Sequence, residues 1–281
     1  MKNRISVAVL DTGVYRHIDF DNRIIGFYDT VKKRTQPYDD CGHGTHVCGI
    51  IAGSGRASNG KFKGIAPMTY IVGVKVLDNK GNGRIADVID GVKWVLDNKG
   101  KYSIKVVNIS FGTLNKEMEE DSQELVKYIE KLWDEGIVVV AAAGNNGPGK
   151  NSVTVPGTSR KIITVGAFDD AYFNRQNEKR IFYSGRGPTD ECIVKPDVVV
   201  AGADIIACSN KRNAYSAKSG TSMSTPVVSG AVARVLSYKI MTPKEIKKAI
   251  KKCCVKIDIP DNQQGWGMLD IVKFVNGYYV K

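Results

Sequence analysis

Short runs of consecutive apolar, largely β-branched residues recur along this 281-residue chain, separated by longer stretches of helical periodicity. Ile5–Leu10, Tyr70–Val76, Ile104–Ser110, Ile137–Ala142 and Ile162–Val165 are nearly all apolar over four to seven positions, the pattern of strands buried on both faces. Between them, Ile85–Asn98 and Lys116–Glu135 place apolar residues at helical spacing. The second opens with Glu117, Glu119, Glu120 and Asp121, which suits the positive end of a helix dipole. Strand and helix alternate, so the expected fold is α/β, a mostly parallel central sheet covered on both faces in a three-layer αβα arrangement. The segments Ser54–Gly64 and Asp169–Glu178 read as surface excursions. No repeat or long linker interrupts the pattern, and one domain over residues 1–281 is the simplest expectation.

Composition narrows the classes. Hydrophobic residues at 42% and charged residues at 25% are those of an ordinary globular chain, and this length buries a core without disulfides or metal. No apolar run approaches the ~20 residues of a membrane span, and Ile5–Leu10 meets Asp11 too early for a secretory leader. Cysteines 41, 48, 192, 208, 253 and 254 are therefore expected as free thiols in a reducing, cytoplasmic setting. The net charge of +12 raises a nucleic-acid partner. Its densest run, Lys244–Lys256, reads as an amphipathic helix opened by a Thr242–Glu245 capping box with Pro243 at the first helical position. With no recognition motif beside it, a solvated helix face is preferred, and neither nucleic acid nor membrane is expected as a partner.

Three segments carry candidate chemistry, each where an α/β fold places ligands, past the carboxyl ends of strands. In Val9-Leu10-Asp11-Thr12-Gly13 a carboxylate follows a buried strand, where its charge is costly unless used; a plain strand-ending turn is the bland alternative. In Gly42-His43-Gly44-Thr45-His46 two of the chain's three histidines offer a near-neutral proton shuttle. A zinc reading of Cys41, His43, His46 and Cys48 is set aside. On a helix, 43 and 46 lie about 60° apart but 48 lies about 200° from 46, so four ligands do not converge. In Ser219-Gly220-Thr221-Ser222-Met223-Ser224-Thr225-Pro226, ahead of the helical run Val227–Leu236, small residues leave a serine accessible; an ordinary N-cap would use the same residues.

Asp11, His43 and Ser222, in that order and each in a glycine-containing motif, resemble the subtilisin-like serine protease family, whose chain order this is. The resemblance continues through Gly64-Ile65-Ala66-Pro67, Val74-Lys75-Val76-Leu77, Asn108-Ile109-Ser110-Phe111-Gly112, Ala141-Ala142-Ala143-Gly144-Asn145, Lys195-Pro196-Asp197 and Gly265-Trp266-Gly267. It implies a subtilisin-like fold and a serine endopeptidase in which Ser222 attacks the scissile carbonyl and His43 shuttles its proton. Asp11 would orient His43, and Asn145 would donate to the oxyanion. It also implies a peptide or protein substrate bound as an extended strand between Gly81-Asn82-Gly83-Arg84 and Ser110-Phe111-Gly112. Ala142–Asn145 (Ala142 and Gly144 among them) and Thr154 would line the pocket for the residue before the cut. With no charge in that lining, a neutral residue is expected there, and not a large aromatic if Thr154 is the floor.

The chain departs from the family in several places. Met1 stands close to the first strand, leaving no room for a signal peptide or propeptide, so an intracellular member is expected. Asp19 matches one ligand of the family's calcium site, but Ser54–Gly64 carries Arg56, Lys61 and Lys63 and no carboxylate, against a cation that wants six or more oxygens. No metal or other cofactor is expected. Cys41 and Cys48 are expected as buried small apolar residues. The competing functional reading is a silent or highly selective family member that acts as a partner-binding module; oligomeric state is not readable.

Overall fold

The computed structural model describes residues 3–113, 119–174 and 179–278. In chain order it places β1 (Ser6–Asp11), β2 (Ile24–Asp29), α1 (His43–Ala52), β3 (Tyr70–Lys75), α2 (Ile85–Asn98), β4 (Ile104–Ile109), α3 (Glu119–Asp134), β5 (Val138–Ala142) and β6 (Ile163–Ala167). An antiparallel pair follows, β7 (Ala171–Asn174) with β8 (Lys179–Phe182), then β9 (Val198–Val200). A second antiparallel pair, β10 (Ile205–Cys208) with β11 (Tyr215–Lys218), leads into α4 (Thr221–Tyr238). Beyond it come α5 (Pro243–Cys253), β12 (Cys254–Val255), α6 (Asp261–Gln264), β13 (Met268–Leu269) and α7 (Ile271–Asn276).

The described residues form a nine-stranded sheet in the order β12-β13-β9-β6-β5-β4-β1-β3-β2, parallel throughout except for β12 against β13. The apolar runs that announced β1, β3, β4, β5 and β6 are its centre. Val7, Val9, Val72, Val74, Val106, Val107, Val139 and Val140 are all buried, as strands covered on both faces require. Helices α2 and α3 pack against each other, as do α1 and α4, and α4 lies across β4, β5 and β6. This is the expected three-layer α/β architecture.

Three expectations need correction. The helix foreseen from Val227 begins at Thr221 and carries Pro226 inside it; buried packing along α4 outweighs the one N–H that proline removes. Ser222 therefore sits in the first turn, with Gly220 as the N-cap, and it is not a capping serine. The described part of Asp169–Glu178 includes β7, paired with β8, so it is not a bare excursion. Residues 175–178, and residues 116–118 of the second helix pattern, lie outside the described residues.

On α5 the capping box is present, with Thr242 accepting from the Glu245 N–H and Glu245 accepting from the Thr242 N–H. Its lysine face is not wholly solvated. Lys247 turns inward, donates to the carbonyls of Arg160, Lys161 and Ile162, and lies 3.3 Å from Asp197, which also holds the buried Lys195 at 2.7 Å.

Candidate active site

Asp11 ends β1, His43 opens α1 and Ser222 lies in the first turn of α4, so the parallel sheet brings three distant motifs to one edge. The glycines of the first two motifs permit the approach. A Cβ on Gly44 would stand 2.2 Å from the Gly13 carbonyl oxygen, and one on Gly13 (φ +116°) 2.1 Å from the Tyr38 carbonyl oxygen. Only glycine lets α1 dock this closely on the end of β1.

His43 Nδ1 lies 2.7 Å from Asp11 Oδ1, which also accepts from the Thr12 N–H at 2.7 Å. Asp11 is fully buried, and its Oδ2 has no hydrogen-bond partner among the described residues. The carboxylate thus fixes the Nδ1–H tautomer and leaves Nε2 with a free lone pair. Burial opposes charging of the imidazole, but the attraction and hydrogen bond of Asp11 outweigh it. The His43 pKa is held above 6.5, while the Lys218 ammonium pulls it down. Ser222 Oγ donates to the Ser110 carbonyl at 2.7 Å, so the hydroxyl proton rests on backbone and not on the imidazole.

Asn145 Oδ1 accepts from the Thr221 N–H at 3.0 Å and from Thr221 Oγ1 at 3.1 Å. With its oxygen committed, the amide Nδ2 remains as a donor beside Ser222. His43, Ser222, Asn145, Ser110, Phe111, Gly112, Ala142, Gly144, Gly81 and Thr154 all face one cavity of about 440 Å³. Asn82 and Gly83 line an adjoining cavity of about 230 Å³ that shares Gly81, Phe111 and Gly112 with the first. Asp11 stands behind His43, outside the cavity wall.

Thr154 closes one end of the larger cavity. A Cβ on Gly112 would come within 2.2 Å of Thr154 Oγ1, and one on Gly144 within 2.5 Å. The threonine therefore wedges between two glycine walls, and its buried hydroxyl has no hydrogen-bond partner among the described residues.

Three supporting groups lay beyond the sequence reading. Buried Asp39 accepts from Thr12 Oγ1, the Cys41 and Gly42 N–H groups, and both the N–H and Oγ1 of Thr45, tying the His43 turn to the Asp11 turn. Fully buried Lys75 donates to the carbonyls of Thr12 (2.6 Å) and Leu77 (3.0 Å) and to Asp40 (2.7 Å). Burial resists ionisation of Asp40, but hydrogen bonds to Lys32 and Lys75 overcome this and hold its carboxyl at about 2. Ser229 donates to Asn108 Oδ1, and Asn108 Nδ2 donates to Ser110 Oγ, bracing from below the segment that receives the Ser222 proton. The Asp39-Asp40 pair just ahead of the histidine motif was the available signal for the first two.

Cys48 is buried as expected, but Cys41 is only half-buried and lines the cavity. His46 donates through Nε2 to the carbonyls of Ile205 and Ser216, so the Cys41–Cys48 string does not converge. One group among the described residues brings metal-type donors together: His17, Asp19 and Cys208. Its atoms are already engaged. Asp19 accepts from the N–H groups of Gly55 and Ala57 and from the Tyr215 hydroxyl, and His17 Nδ1 accepts from the Asp19 N–H. Amide dipoles from the Ser54–Gly64 loop thus point at the carboxylate where a cation would have to sit, and these residues do not fit a calcium ion.

The model of the Subtilase family matches residues 2–267. Serine protease AprX of Bacillus subtilis (strain 168) is 40% identical over 268 residues, covering 88% of this chain and 60% of its own length. Thermophilic serine proteinase of Bacillus sp. (strain AK1) is 35% identical over 252 residues, covering 89% and 56%. The chain thus spans 60% or less of the length of these two relatives. Among solved structures, a cold adapted subtilisin-like serine proteinase superposes with a TM-score of 0.74 at 28% identity, over 94% of this chain and 86% of that one. Prenylagaramide maturation protease PagA superposes with a TM-score of 0.76 at 26% identity, over 98% and 93%. A nine-stranded, mostly parallel sheet, three motifs gathered at one sheet edge and a family pattern matched along almost the whole chain lead to one conclusion: this chain belongs to the subtilisin-like serine protease, or subtilase, family.

Proposed function

We propose that the chain is a serine endopeptidase that cleaves peptide bonds through Asp11, His43 and Ser222 by way of an acyl-enzyme. The observation that carries this reading is the 2.7 Å contact of His43 Nδ1 with Asp11, made behind the wall of the cavity that His43, Ser222 and Asn145 line together. A serine hydroxyl needs a base at the moment of attack. Rotation about χ1 of Ser222 exchanges the Ser110 carbonyl for His43 Nε2. As the Ser222 oxygen bonds to the carbonyl carbon, its proton passes to Nε2. The oxyanion then accepts from Asn145 Nδ2 and the Ser222 N–H, where one such donor is worth ~2.7–4 kcal/mol, a magnitude established on subtilisin itself. Collapse breaks the C–N bond as the imidazolium protonates the leaving amine. Water then repeats the sequence, releasing the acid and restoring Ser222.

Substrate would lie extended along Gly81–Gly83 and Ser110–Gly112, with the residue before the cut in the pocket floored by Thr154. The threonine wedged between Gly112 and Gly144 supports a small, neutral residue there; a cleavage profile led by Arg, Lys, Asp, Glu or Phe would refute this. The six free cysteines support a reducing, intracellular location.

Labelling with a serine-directed fluorophosphonate tests the assignment. The wild-type protein should label and Ser222→Ala should not. Failure of the wild-type protein to label or cleave any peptide would leave the partner-binding module as the better reading, a state in which Ser222 stays on the Ser110 carbonyl.

A further inference from the structure

We propose that Lys218 makes this cleft selective for substrates with an acidic side chain on the leaving side of the scissile bond. This rests on the hydrolase reading and names its substrate class. The residues that line the cavity include two cations, Lys80 and Lys218, and no aspartate or glutamate.

The two lysines differ in their surroundings. Lys80 belongs to the turn in which Asp78 accepts from the Lys80 and Asn82 N–H groups, so a carboxylate already lies close to it. Lys218 ends β11 and forms no ion pair among the described residues. Asp204 is not its partner. Lys218 pairs in register with Ile205, and Asp204 is bound instead by Ser219.

Geometry assigns Lys218 to the leaving side. His43 protonates the departing amine, so the leaving segment must pass the imidazole; Lys218 lines the same cavity as His43 and ends the strand whose Ser216 carbonyl is bound by His46 of the same helix, which sets its charge on the imidazole's side of the cleft. The β10–β11 connection extends the same positive rim. Asn210 donates to the Asp39 carbonyl, which seats the connection against the turn that carries Cys41 and His43, and exposed Lys211 and Arg212 follow in the chain. Of the two acidic residues beside that turn, Asp39 is buried and engaged by Thr12, Cys41, Gly42 and Thr45, and exposed Asp40 is held by Lys32 and Lys75, so both carboxylates are already engaged. A carboxylate one to three residues past the cut would meet Lys218, Lys211 and Arg212, while Asp39, Asp40 and Asp204 are each engaged by other groups.

Internally quenched peptides that share one acyl half and carry Asp, Gln or Lys at each of the first three leaving-side positions test the inference. At low salt the best Asp peptide should exceed its Gln counterpart in kcat/KM by about two- to fivefold, the scale of a partly exposed ion pair. The ratio should fall toward one near 1 M salt, where charges are screened beyond about 3 Å. Lys218→Gln should lose most of the preference. Lys252→Gln, which removes the same charge from the exposed face of α5, should keep it. Fluorophosphonate labelling of Lys218→Gln verifies that its site is intact. An enzyme that labels and cuts the Gln peptide but shows no Asp preference, or keeps it in Lys218→Gln, overturns this inference alone. Absence of all labelling and cleavage overturns the hydrolase reading and this one with it.

Discussion

His43 and His46 lie three residues apart on α1, yet the two faces of that helix treat them in opposite ways. On the cleft face, His43 meets a buried carboxylate whose attraction prevails over burial and holds its pKa above 6.5. On the core face, burial dominates at His46; two backbone carbonyls stabilise its Nε2–H, but its Nδ1 has no partner, and its pKa falls to about 4. One ring is poised to take a proton and the other is kept neutral as a fixed donor that pins α1 to the β10–β11 pair. Identical side chains one helical turn apart become a base and a strut because of what faces each nitrogen.

The strongest way to break this contrast is to remove each ring in turn. His43→Ala should lower kcat by about 10⁶-fold, the size of this loss in subtilisin itself, with little change in Tm, since that ring lies at the cavity wall. His46→Ala should cost about 2–4 kcal/mol of stability, because it opens a hole and strands the carbonyls of Ile205 and Ser216. Peptide turnover and thermal melts on both variants decide the matter. A His46→Ala protein that melts like the parent but has lost its turnover would invert the two roles.

Acid sharpens the same contrast through stability. Unfolded His46 titrates near 6.5 and folded His46 at about 4, so between those values the unfolded chain binds more protons. Stability is therefore fully present above pH 6.5 and drains away as pH falls toward 4, by about 3 kcal/mol from this ring. His17, also lowered chiefly by burial, acts in the same direction. Urea denaturation at pH 7 and at pH 4.5 measures the drop, which should be shallower in His46→Ala; an unchanged slope in that variant would remove His46 as its source.

What the sequence disclosed follows from how local each signal was. Strands β1, β3, β4, β5 and β6 are legible because burial on both faces leaves an unbroken apolar run. Strand β2 at the sheet edge mixes exposures, and β11, Tyr-Ser-Ala-Lys, carries no apolar run at all, so neither announces itself. Asp11, His43 and Ser222 were readable as a group because each sits in a motif with glycines, and a close approach demands them at the first two. Asp39 and Lys75 were not, because their work is defined by carbonyls and N–H groups from several segments. An aspartate next to another aspartate, or a lysine at the end of a strand, looks the same whether it braces a cleft or faces water. The inward turn of Lys247 was hidden for the same reason: the helical period places it on the lysine face, and only the Arg160–Ile162 carbonyls draw it in, where burial above all brings its pKa down to about 8.

The smallest expected effect is also the most direct probe of the cleft face. The proposed mechanism needs neutral His43, so kcat/KM should fall as pH drops through a pKa above 6.5, because Asp11 favours the imidazolium. Lys218 opposes that preference, and replacing it by glutamine removes a repulsive charge from the ring's surroundings. In Lys218→Gln the acidic limb of the pH–kcat/KM profile, recorded with the Gln peptide at low salt, should therefore move to higher pH; high salt should move the parent's limb the same way. A limb that stayed in place would mean that the ammonium does not reach the imidazole. One that moved to lower pH would mean that the glutamine had disturbed Asp11. Either result would count against Lys218 as the charge that tunes the cleft-facing imidazole.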